Sequence, residues 1–166
     1  ALQLLADGVR ERMSESDYRA AHALLDYRAR AEAALALEMS DPRVVDGQLL
    51  RAELLRNQGI IQEANEQLSA VAATLKDMEL PDAQAKCDFE HARLNLLSER
   101  LDDAEVYFLK AKKGYEQLQR HREVADCILG LGETFTLRGA YDVSLEHMEE
   151  ARNRFLRCEA PVEAAW

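Results

Sequence analysis

The chain has 166 residues, with 21 Lys and Arg against 31 Asp and Glu, for a formal net charge of −10. Hydrophobic residues make up 48% of it and there are only 7 Gly and 3 Pro, which excludes a disordered, collagen-like or linker-like chain and leaves enough apolar side chain for a core. The acidic surface repels phosphate backbones and so excludes nucleic acid as a direct ligand; no apolar run approaches the ~20 residues of a membrane-spanning helix, so the chain reads as soluble.

In chain order, the first helix is predicted over 2–14 and the second over 17–39, where the stretch from Asp26 to Glu38 is rich in Ala, Leu and Arg. Pro42 opens a third over 42–57, with Asp41 ahead of it as a natural N-cap. The fourth runs over 60–79. Its apolar residues Ile61, Ala64, Leu68, Val71, Leu75 and Met78 are three and four apart in turn, one stripe of an amphipathic helix. Pro81 opens a fifth over 81–98, and further helices follow over 101–119, 121–138 and 141–158. Pro161 starts another over 161–166, which leaves an open apolar end. No alternating β-branched run interrupts the series, so the class is all-α.

The chain matches itself at a shift of 40. Val45, Ala85 and Ala125 coincide, as do Leu49, Phe89 and Leu129, then Ala52, Ala92 and Gly132. Ile61, Leu101 and Tyr141 follow, with Ala64, Ala104 and Ser144, and Leu68, Phe108 and Met148. Val71, Ala111 and Ala151, Leu75, Tyr115 and Phe155, and Met78, Leu118 and Cys158 complete the columns, without an insertion. A looser first copy fits at a shift of 43, Tyr18, Ala21 and Leu25 matching Ile61, Ala64 and Leu68. Its second helix is expected to be about a turn longer than its counterparts. One domain over 1–166 thus divides into helix pairs at about 2–41, 42–80, 81–120 and 121–160. An internal repeat of this size is the signature of stacked helix pairs. Gly59 and Gly139 stand where the first helix of a pair would end in a left-handed residue, and Glu99 takes that place in the middle copy.

Small residues at fixed places in a two-helix unit resemble the tetratricopeptide repeat family. Gly132, Gly139, Tyr141 and Ala151 match its pattern in one copy, with Ser144 for the first alanine of the second helix. Ala92, Leu101, Ala104 and Ala111 match it in another, and Ala52, Gly59 and Ala64 in a third. The step of 40 resembles the longer variant of signalling adaptors and bacterial regulators. The family's large residue early in the first helix is replaced here by Gln48 and Asp88. The resemblance implies a right-handed superhelical solenoid of antiparallel helix pairs. A HEAT-like array has a similar repeat length, but its mid-repeat proline is missing.

No chemistry assembles along the chain. Asp102–Asp103 and Glu149–Glu150 are adjacent and point to different sides of a helix. Gly130 and Gly132 follow no strand, so they form no nucleotide loop. Cys87 and His91 have the four-residue spacing of metal ligands without further ligands beside them; Cys87, Cys127 and Cys158 read as small buried hydrophobes, the first two too far apart for a disulfide. No catalytic group, metal or cofactor is expected. An odd number of cysteines without a CxxC pair fits a reducing, cytoplasmic setting.

What is left is a surface. The first helices of the pairs line the inner face of such a stack, which places Leu49, Glu53 and Arg56, then Phe89, Arg93 and Leu96, then Leu129, Glu133 and Thr136 along it. This mixed lining suits a protein or peptide segment, with the arginines on the partner's carboxylates. Equally, Leu49, Phe89 and Leu129 could seal one repeat to the next. The Lys and Asn set with which family members grip chaperone C-termini is not at these positions. The expected role is a non-catalytic interaction scaffold. The alternative is a sensory or regulatory segment of a larger bacterial signalling protein or transcription factor. In either, the open C-terminal end offers a place for self-association.

Overall fold

The computed structural model describes residues 1–159. Among the described residues there are eight helices and no strand: α1 (Leu2–Ser14), α2 (Tyr18–Ala34), α3 (Pro42–Asn57), α4 (Ile61–Leu75), α5 (Pro81–Leu97), α6 (Leu101–Gln117), α7 (His121–Arg138) and α8 (Tyr141–Glu159). The helix expected over 161–166 lies outside the described residues. Local chemistry accounts for the helix starts. Asp17 caps α2 by accepting the Ala20 N–H at 3.1 Å, and Asp41 caps α3 by accepting the Arg43 N–H at 2.9 Å. Pro42 and Pro81 sit in the first turns of α3 and α5, where a missing N–H costs nothing.

The helices pair as hairpins, α1 with α2, α3 with α4, α5 with α6 and α7 with α8. Each hairpin turns through one residue in the left-handed region: Ser16 (φ 59°), Gly59 (φ 74°), Glu99 (φ 55°) and Gly139 (φ 81°). These turns recur at the steps seen in the sequence, and glycine fills only two of them, so Ser16 and Glu99 hold a conformation that a Cβ disfavours.

Two helix ends differ from expectation. The second helix stops at Ala34, not 39, because Ala36 turns left-handed (φ 51°), as Gln119 does after α6 (φ 56°). The extra residues of the first copy therefore lie in the connection 35–41, and α2 is no longer than α6, each having 17 residues. The fourth helix ends at Leu75 rather than 79; Pro81 starts α5 and keeps the residue before it, Leu80, out of the helical region (φ −121°, ψ 72°).

Helices meet along the repeated columns of small and large residues. Ala52 faces Ala64, and Ala92 faces Ala104, all fully buried where paired helices approach. Between hairpins, Leu68, Val71 and Leu75 of α4 pack with Cys87 and Leu94 of α5. Phe108 of α6 packs with Leu131 of α7, and Ala111 and Tyr115 with Val124, Cys127 and Ile128. Each helix also packs on the one that follows it, and odd-numbered helices touch in succession, α1 on α3, α3 on α5 and α5 on α7. Among the described residues no even-numbered helix touches another. One side of the molecule is thus a continuous surface of odd-numbered helices.

Candidate binding face

Charged side chains cross every junction on the side of the odd-numbered helices. Asp46 of α3 lies 3.6 Å from Arg10 of α1 and 3.6 Å from Lys86 of α5. Arg56 of α3 donates from Nε to Glu90 of α5 at 2.8 Å, and Arg93 of α5 donates from Nη1 to Glu133 of α7 at 2.6 Å. Both arginines expected to meet a partner's carboxylate are therefore already occupied by carboxylates of the chain itself. Glu90 is almost wholly buried, so its pair with Arg56 satisfies a carboxylate that water does not reach.

Glu53 lies between these pairs. Burial, with the charge of Glu90 next in weight, pushes its carboxyl above the usual range. Burial raises Asp88 and Asp126 in the same way. None of the three meets a cation within salt-bridge distance among the described residues.

The apolar residues anticipated on this face have mixed fates. Leu49 is 1% exposed inside the core of the second hairpin, and Leu96 is also buried. Phe89 is half-buried and meets Phe108 edge to face, 5.9 Å between ring centres. Leu129 is half-buried against the core shared by α6, α7 and α8. Leu49, Phe89 and Leu129 thus all make packing contacts, and Leu49 presents no surface to a partner.

An open apolar groove of about 360 Å³ lies near the ends of α5 and α7. It gathers four of the anticipated residues, Arg93, Leu96, Glu133 and Thr136, with Leu97, Leu137 and Met148. Leu97 and Leu137, 54% and 58% exposed, went unnoticed in the sequence, although they stand forty residues apart in one column. Thr136 shares its hydroxyl with Ser144 at 2.6 Å, which ties the end of α7 to α8 beneath the groove.

The thiols differ in burial: Cys158, expected as a small buried hydrophobe, is exposed, because among the described residues no helix follows to pack over α8. Cys87 and Cys127 are free and buried, and desolvation pushes each thiol up to about 12, far from a nucleophile or ligand. His91 is buried against Tyr107, with ring centres 5.0 Å apart, and burial lowers its basicity. No group of three or more His, Cys, Asp or Glu among the described residues could hold a metal ion. Among them no helix is long and apolar enough to cross a membrane. No protein-family model matches the chain, and no curated protein is significantly similar to it.

Proposed function

We propose that the chain is a non-catalytic interaction module of the tetratricopeptide kind, a right-handed superhelix of helix pairs that holds a protein or peptide segment on the face of its odd-numbered helices. The succession of contacts between odd-numbered helices supports the superhelix, since helices that touch only on one side of a stack curve it towards that side. The observation that carries the binding role is the groove between α5 and α7. Two leucines more than half exposed flank an ion pair there, an apolar seat beside groups that hydrogen-bond a peptide backbone. The three unpaired thiols fit a reducing, cytoplasmic setting.

The test is to pan a displayed random peptide library against the chain and measure the enriched peptides by calorimetry. Leu137→Glu puts a charge into the groove and lowers affinity at least about tenfold, roughly 1.4 kcal/mol. Leu109→Glu, on the outer side of α6 and 49% exposed, leaves affinity unchanged. Equal loss from both substitutions, or from neither, refutes binding on the inner face.

A further inference from the structure

Each of α2, α4 and α6 is covered along one side by the odd-numbered helix that follows it. The same columns consequently meet two fates. Phe108 and Tyr115 of α6 lie under α7 and are 0% and 6% exposed. Their counterparts on α8, Met148 and Phe155, are only half-buried, and Tyr141, the counterpart of Leu101, is 69% exposed. Glu105 of α6 and His22 of α2 share another column, and each reaches the end of the next odd-numbered helix. Glu105 accepts from Arg138 at 2.7 Å, and His22 meets Gln58 at 2.9 Å. The α8 residue in that column is Leu145, 59% exposed.

Among the described residues the opposite edge lacks the complementary cover. Gly47, Cys87 and Cys127, in one column of α3, α5 and α7, each lie against the preceding even-numbered helix. Leu4 of α1 occupies that column, forty-three residues before Gly47, and is 75% exposed. A large apolar side chain stands where a stack would place a buried contact.

Charge follows the same order. Arg10, Glu53, Arg93 and Glu133 fill one column with alternating sign; among the described residues only the rung from Arg93 to Glu133 closes, at 2.6 Å, and Glu53 pairs with neither arginine. A cation at the next step would continue the alternation, and Arg10, which heads the column, lies on the surface beside Asp7 at 3.1 Å and Asp46 at 3.6 Å.

We propose that a second copy of this chain covers α8. Its α1 packs onto α8 as α7 packs onto α6, placing Leu4 against the apolar side of α8 and Arg10 beside Glu133. The two surfaces differ, so the contact is head-to-tail and adds copies in an open string instead of closing a two-fold dimer. The groove and the surface covered by the second copy share Glu133 and Met148, so a peptide in the groove competes with that copy; self-association needs no peptide, however, and either reading can fail alone.

The experiment is sedimentation of the full chain across a concentration series, with Leu4→Glu and Leu145→Glu made singly. Both side chains are largely exposed, so neither change disturbs the fold, and circular dichroism checks this. The parent's mass rises with concentration above the 18.8 kDa of one chain, and each variant alone stays at one chain. A mixture of the two variants forms a one-to-one pair and stops there, because each brings one intact surface and one spoiled one. A parent that remains a single chain at every concentration overturns the proposal. So does association that survives either substitution, or a mixture that fails to pair. Loss with Leu145→Glu alone reveals α8 pairing with itself and equally overturns it.

Discussion

The junction between α2 and α3 and the junction between α6 and α7 solve the same packing problem with opposite chemistry. At the second, Phe108 is fully buried and its ring fills the space left by Gly130, where an added Cβ would come within 2.3 Å. Nothing polar is needed. At the first, the column occupied elsewhere by Val71, Ala111 and Ala151 holds Arg28, 2% exposed. Its Nε donates to Glu32 at 2.7 Å, its Nη1 to Asp46 at 3.0 Å, and its Nη2 to the Arg43 carbonyl. Gly47 makes the room, since a Cβ there would lie 3.0 Å from the guanidinium. A groove between packed helices can thus be filled by hydrocarbon or by a fully paired ion. The second way leaves the joint dependent on every partner.

That dependence sets the largest expected effect. Arg28→Ala strands the buried Glu32 and costs about 3–5 kcal/mol, read from the urea midpoint. The comparison sharpens when the apolar solution is transplanted. Arg28→Val, Glu32→Leu and Gly47→Cys together copy Val71, Leu75 and Cys87, and Asp46 keeps Arg10 and Lys86 as neighbours. The triple variant is expected to equal the parent or to gain up to about 4 kcal/mol. At the apolar joint, Gly130→Ala costs about 1–3 kcal/mol by overpacking. Phe108→Leu, copying Leu68 at the neighbouring junction, recovers part of that loss in the double variant.

The smallest effect concerns Glu53, which lies on neither joint. Its carboxyl is raised in the folded protein, so its contribution to stability is fullest in acid and is lost as the pH rises through the raised value. Glu53→Gln removes that loss. The variant is more stable than the parent at pH 7, and the difference fades as the pH falls below the ordinary 4.5 of a glutamate, measured as melting temperature against pH.

The eight described helices and the left-handed turns at Gly59, Glu99 and Gly139 were legible because apolar spacing and turn chemistry are local and repeat. Helix ends were less so. Ala, Leu and Glu after Ala34 favour helix, but Asp41 must cap α3 at the place that packing requires, and tertiary order overrides propensity. On the candidate face, columns told which residues share a side of a helix and not which charges find each other. Arg56 and Arg93 read as free until Glu90 and Glu133 were seen beside them. Arg28 was hidden because an arginine in an amphipathic helix reads as solvent-facing. Its place among Val71, Ala111 and Ala151, in the helix packed against Gly47, held the signal.

The uneven burial of the three thiols gives the chain a built-in handle. Cys87 and Cys127 are enclosed, with their thiols pushed up to about 12, while Cys158 is open to water near the far end of α8. A maleimide dye therefore marks a single known point without any engineered cysteine, ready to report by fluorescence on whatever approaches that end.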